Sequence, residues 1–193
     1  MFASGISGFG VVKVKGRNLV PNPPARITAF IFLTFALNLK KMQIYTIGTA
    51  NRSKEEFIRL LHSFGIEAVV DVRRFPTSKF AHFRREELEE MLREEGIAYF
   101  FCEALGGFRK GGYRKHMLSE EFQNALKSLE MLAEKRKVAI LCAEKLYFRC
   151  HRRFIADALV QRGHEVIHII DERRTQKHKL RVREEKTLDD FLI

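Results

Sequence analysis

Two short, almost purely apolar runs, Ala68-Val69-Val70-Asp71-Val72 and Val138-Ala139-Ile140-Leu141-Cys142, constrain the fold more than any other feature of this chain. A strand with one wet face alternates apolar and polar residues. A strand without a polar face must be covered on both sides, as in a parallel sheet flanked by helices. Three further runs, Ile44–Gly48, Ile97–Cys102 and Val166–Ile170, are strand candidates of the same length.

Helical patterns separate these strands. Ser53 is placed to cap a helix whose first turn carries Glu55 and Glu56, whose apolar stripe is Phe57, Leu60, Leu61 and Phe64, and which Gly65 ends. Arg84–Glu95 turns Leu88, Met91 and Leu92 to one side, and Glu120–Arg136 does the same with Phe122, Ala125, Leu126, Leu129 and Leu132. Phe154–Arg162 places Ile155, Ala158 and Leu159 inward before Gly163. Strands alternating with helices predict an α/β fold, a three-layer α/β/α sandwich around a mainly parallel five-stranded sheet, with right-handed crossovers.

This domain is expected over residues 42–171. Residues 1–41 read as an N-terminal extension, disordered or lying before the true start: Pro21-Asn22-Pro23-Pro24 interrupts any regular structure, and translation is expected to begin at Met42, just ahead of the first strand. The apolar run Ile27–Leu37 is too short to span a bilayer, which takes roughly 20 residues, and Asn38-Leu39-Lys40-Lys41 is a poor cleavage site. No membrane partner is expected. Residues 172–193 form a charged tail whose Leu188, Phe191, Leu192 and Ile193 suit a short docked helix.

The net charge of +11 suggests nucleic acid until it is divided along the chain. Residues 1–41 hold six basic and no acidic residues, whereas residues 42–171 hold 22 basic and 19 acidic. Most of the excess lies outside the expected domain, so local charge is the better guide. Three cysteines are too few for a disulfide scaffold and point to a reducing cytoplasm, and abundant Glu, Lys and Arg without Trp lean toward a heat-adapted source.

Ligands of open parallel sheets bind beyond the carboxyl ends of the strands. Those ends read Gly48-Thr49-Ala50-Asn51, Asp71-Val72-Arg73-Arg74, Cys102-Glu103-Ala104-Leu105-Gly106-Gly107, Cys142-Ala143-Glu144 and Asp171, with the reactive residue types gathered there. From Cys142 the chain runs through Glu144 and Lys145 to Arg149, Cys150, His151 and Arg152, entering a helix. A thiol facing a helix N-terminus sits in a field that favours the thiolate, and the loop amides can cradle an oxyanion. Cysteine phosphatases and rhodaneses place five residues between Cys and Arg; here six separate Cys142 from Arg149, a near miss. Cys142 is a candidate nucleophile; the alternatives are a small apolar strand-end residue, as buried free cysteines often are, and a metal ligand, for which the signal is weak. His151 is a candidate general acid or base, and Asp71 either a base or the partner that orients Arg73. Adjacent Cys150 and His151 are expected to point to different sides of a helix, which argues against a metal shared with Cys142 and Glu144.

Two loops carry local charge. Arg73–Arg85 interleaves Arg73, Arg74, Lys79, His82, Arg84 and Arg85 with Phe75, Phe80 and Phe83, and Phe108–His116 carries Arg109, Lys110, Arg114, Lys115 and His116 around Gly111-Gly112 and Tyr113. Basic side chains neutralise phosphates and aromatic faces stack on unpaired bases.

The segments Tyr45-Thr46-Ile47-Gly48, Asp71-Val72-Arg73-Arg74-Phe75-Pro76-Thr77-Ser78, Leu105-Gly106-Gly107, Cys142-Ala143-Glu144 and Cys150-His151-Arg152 resemble, in order and spacing, the family called domain of unknown function 488. The family often carries a His after the glycine of the first segment where this chain has Thr49, so that histidine's role does not carry over. The resemblance implies the fold and the site, not a reaction.

These readings converge on a domain that binds an anionic, phosphate-bearing ligand, a nucleotide or nucleic-acid element, with thiol-based hydrolysis or group transfer. Cys142, His151 and Asp71 are the catalytic candidates. Thr49, Arg73, Arg74, Gly106, Gly107, Glu144, Arg149 and Arg152 are the ligand-binding ones. The rival is a non-catalytic nucleic-acid-binding or regulatory module with a structural Cys142, and a third option is a metal-dependent enzyme using Asp71, Glu103 and Glu144. No dinucleotide fingerprint, P-loop or HExxH motif is present, so no cofactor is expected. Oligomeric state is not legible.

Overall fold

A computed structural model describes residues 40–180. In its central strand β4 (Val138–Cys142), Val138, Ile140 and Cys142 enter the core on one face of the sheet, while Ala139 and Leu141 enter a second core on the other. A pleated strand sends successive side chains to opposite sides, so an unbroken apolar run feeds two cores at once. The same division holds in β1 (Gln43–Gly48) and β2 (Ala68–Asp71): Ile44, Ala68 and Val70 pack on the first face, and Tyr45, Ile47 and Val69 on the second.

Helices α1 (Lys54–Ser63) and α2 (Arg85–Glu94) cover the second face through Phe57, Leu60, Leu61, Leu88 and Leu92. The first face is covered by α3 (Tyr113–Met117), α4 (Glu120–Ala133) and α5 (Arg152–Gln161), through Phe122, Leu126, Ile155 and Leu159. Ser53 and Ser119 cap α1 and α4, their hydroxyls accepting from the amides of Glu56 and Phe122. With β3 (Ala98–Phe101), β5 (Glu165–Asp171) and β6 (Arg174–Lys177), the strand order is β3-β2-β4-β1-β5-β6, parallel except at β6. The expected three-layer α/β/α sandwich is present.

The sheet has one strand more than expected. The β6 strand pairs antiparallel with β5 across the Glu172-Arg173 turn, although its four residues are all exposed. Charged side chains are what an edge strand uses to avoid sticking to other chains, and they hide it from a search for apolar runs. Helix α5 starts at Arg152, with His151 as its cap, so of the segment expected to enter it, Arg149, Cys150 and His151 precede its regular turns. The N-terminal extension and the docked terminal helix fall, apart from Lys40 and Lys41, outside the described residues. Among the described residues no helix is long and apolar enough to cross a membrane.

The register aligns Gly48 with Cys142 and Asp71 with Leu141, so three strand ends finish level. From β2 the chain leaves toward α2 on one face, and from β4 toward α5 on the other. That divergence opens a crevice above the strand ends.

Candidate functional site

The crevice is a cavity of about 650 Å³ walled by the loops after β2, β3 and β4. Cys142, Cys150 and His151 line it together with Arg74, Arg109 and Arg149. The chain thus brings two of its three cysteines to one place under a basic rim.

Cys150 immediately precedes the cap residue of α5, and its sulfur does what a capping oxygen normally does: it accepts the backbone N–H of Arg152, at 3.5 Å. The Nδ1 atom of His151 lies 3.6 Å from the same sulfur. On the far side of the ring, Nε2 lies 3.0 Å from the carbonyl oxygen of Val72. A carbonyl only accepts, so Nε2 carries a proton in either charge state, and Nδ1 is left to exchange a proton with Cys150. Tyr113 flanks the imidazole, ring centroids 5.3 Å apart, and its hydroxyl donates to the Leu105 carbonyl at 2.7 Å. Gly107 fits because it has no side chain: a Cβ there would come within 2.8 Å of His151 Nδ1.

The two buried thiols share their protons unequally. The Cys142 S–H, donating to Cys150, pulls the Cys150 pKa well down, helped by His151 and the Arg152 charge and against the cost of burial. The same hydrogen bond, with burial, pushes the Cys142 thiol up. The surroundings of Cys150 therefore favour its thiolate, and those of Cys142 its neutral thiol. Sequence reasoning singled out Cys142 and did not weigh Cys150 as a nucleophile, because a strand end is visible in the sequence while the capping contact at α5 is not.

The loop joining Cys142 to Cys150 is clamped from below. Arg152, 1% exposed, donates to the carbonyls of Glu144 and Lys145 and, through Nη1, to Thr46 Oγ1 at 3.4 Å. Thr46 Oγ1 lies 2.7 Å from His168 Nδ1, His168 Nε2 2.9 Å from His178 Nδ1, and His178 Nε2 2.8 Å from Asp157 Oδ1. Every donor in this series finds an acceptor when both imidazoles are neutral with the proton on Nε2. Burial first, then His178 and Arg152, lowers the His168 pKa to about 2. Gly48 completes the clamp: a Cβ there would fall 2.0 Å from the Glu144 carbonyl oxygen.

Asp71 is fully buried and already engaged. Its oxygens accept Arg73 Nε at 2.9 and 3.0 Å, Arg73 Nη2 at 2.6 Å and the Tyr99 hydroxyl at 2.9 Å. Arg73 Nη1 donates to the Phe83 carbonyl at 2.6 Å. Burial disfavours the Arg73 cation, but Asp71 outweighs it and raises the pKa. This geometry favours the orienting role of Asp71 over that of a base, and it spends Arg73 on the fold. Arg152 is likewise committed, to the loop. Thr49 is buried, its hydroxyl 3.4 Å from the Ala143 carbonyl. Arg74 reaches the Phe108 carbonyl at 3.4 Å, Gly106 backs onto Arg74, and Glu144 and Arg149 are exposed on the cavity wall. Of the cations considered for ligand binding, Arg149 and Arg74 are the ones that face the cavity without a buried ion pair. Arg109, which sequence reasoning placed only in a basic loop, joins them and is tied to the Gly106 carbonyl at 3.0 Å.

The expectation that Cys150 and His151 point apart is not met, because both precede the regular turns of α5. The sulfurs of Cys142 and Cys150 and a ring nitrogen of His151 lie within 4.8 Å of one another. Two thiol sulfurs and an imidazole nitrogen are donors of the kind that could hold a transition metal.

The model of the family described as Domain of unknown function DUF488 matches residues 53–159, more than half of the chain. This chain belongs to the DUF488 family. Comparison with curated proteins and with solved structures gives no match. The DUF488 match spans the loops that build the cavity, from Asp71 to Arg152, while β1 and β5 lie outside it.

Proposed function

We propose that this DUF488 protein binds an anionic, phosphate-bearing ligand in the cavity and that Cys150 attacks it as a thiolate, in hydrolysis or group transfer. The observation that carries this reading is the contact of Cys150 Sγ with His151 Nδ1 at 3.6 Å on the floor of a cavity rimmed by arginines. A nucleophile needs a base within reach and a third group that orients the base, and His151 is oriented by the Val72 carbonyl. Arg149 and Arg74 attract and hold the anion, and Gly107 allows the backbone to approach the imidazole closely.

Thermal melting of the full chain against phosphate, sulfate, nucleotides and short single strands tests the binding. A ligand held only by the folded state at 100 times its Kd adds about 2.7 kcal/mol, a readable rise in Tm. One anion class should raise Tm in the parent and not in Arg149→Ala. A flat response to every anion refutes the reading.

A further inference from the structure

A nucleophile for phosphorus requires one thiolate. This cavity has a second buried thiol, Cys142, with its sulfur within 4.8 Å of Cys150 Sγ. Cys142 is 6% exposed and Cys150 8%, and both line the same cavity. A neutral thiol held beside a thiolate stabilises it whatever atom is attacked. In attack at sulfur it has a second task, because a mixed disulfide is released by a neighbouring thiol.

We propose that Cys150 and Cys142 are the attacking and resolving thiols of a dithiol centre that reduces a sulfur–sulfur bond in an anionic organic disulfide. This deepens the thiolate reading above, rests on it, and replaces phosphorus by sulfur as the reacting atom. The Cys150 thiolate attacks one sulfur of the substrate R–S–S–R′ and forms Cys150–S–S–R. The R′ thiolate leaves and takes the proton of the His151 imidazolium. Cys142 then gives its proton to the neutral imidazole and attacks the Cys150 sulfur, expelling the R thiolate, which in turn takes that proton from His151. The substrate gains two electrons and two protons, the protein is left with a Cys142–Cys150 disulfide, and an external dithiol reductant regenerates the pair. Bond formation brings the sulfurs from within 4.8 Å to about 2.05 Å.

The direction of attack follows from the surroundings. Cys150 faces the imidazole and the amide of Arg152, so it is the thiol ready to attack. The arginines at the rim select a substrate with negative charge beside its disulfide.

The test uses the full chain carrying Cys102→Ser, which leaves only the pair, in the presence of a chelator. The probe is 5,5′-dithiobis(2-nitrobenzoate), an anionic aromatic disulfide. The proposal expects two equivalents of thionitrobenzoate per chain, the second following the first without added thiol, and a Cys142–Cys150 cross-link by peptide mapping. Cys142→Ser, and Cys142→Ala as a second variant, should release one equivalent and keep a stable adduct on Cys150. Arg149→Ala should slow attack on this probe more than on the uncharged 2,2′-dithiodipyridine. An adduct that persists on Cys150 with Cys142 present overturns the resolving role, and fast release from Cys150→Ser overturns the order. The phosphate-dependent rise in Tm, measured on the same variants, separates the two claims: a rise with an unresolved adduct leaves the anion site standing and removes the dithiol. It also reports whether each variant is folded.

Discussion

His151 Nδ1 lies 3.6 Å from Cys150 Sγ, although the two side chains belong to adjacent residues. Within a helix, neighbours diverge by about 100° and such a contact is out of reach. It forms here because Cys150 precedes the cap of α5 and His151 is the cap itself. The ring is then fixed from behind by Val72, at the end of β2.

Enlarging Gly107 should disable this pair while sparing the fold. A Gly107→Ala Cβ would meet His151 Nδ1 at 2.8 Å and push the ring from its place beside Cys150. Thiol reactivity of Cys150 should fall at least tenfold, with a loss in stability of no more than about 2 kcal/mol by chemical denaturation.

Gly48→Ala is the contrasting case. Its Cβ would overlap the backbone of Glu144 at 2.0 Å, with no flexible side chain to give way. A loss of about 3 kcal/mol or more is expected in denaturant titration, since β1 and the loop after β4 would have to separate.

The Asp71–Arg73 pair makes a separate prediction. Both side chains are buried, and removing one charge strands the other. Asp71→Asn should destabilise the chain by about 3 to 5 kcal/mol. The buffer-accessible thiol count of the surviving folded protein should stay that of the parent, which separates a structural Asp71 from a catalytic one.

How much of this was legible in the sequence varied with range. The two apolar runs determine the sheet's centre, because double-sided burial leaves no other use for them, and the strand-end rule then puts the site at Cys142. The clamp beneath it was not legible. Thr46 and His168 are 122 positions apart and meet only because β1 pairs with β5. Nor does any local pattern separate Arg152, which faces inward, from Arg149, which faces the cavity. Cys150–His151 was misjudged because the sequence pattern put both within the helix, whereas α5 begins only at Arg152, and a helix boundary is the feature that composition determines least.

The buried imidazoles predict how stability depends on pH. His168 has a folded pKa of about 2 against an ordinary value of 6.5. The unfolded chain therefore takes up a proton below about pH 6.5 that the folded chain refuses, and stability falls as pH is lowered from there toward 2. At pH 5 the loss attributable to His168 is about 2 kcal/mol. Denaturant titrations at pH 7 and pH 5 check it, and His168→Gln should flatten the difference.

The central claim is that Cys150 is a reactive thiolate at neutral pH, held so by the Cys142 S–H together with His151 and the Arg152 charge. Its most direct test is the rate of Cys150 alkylation by iodoacetamide against pH in the full chain, read by peptide mass. The account predicts rapid alkylation persisting below pH 6, and an inflection moved up toward the ordinary thiol value near 8.5 in His151→Ala. An inflection already near 8.5 in the parent, or one that His151→Ala leaves in place, would contradict it.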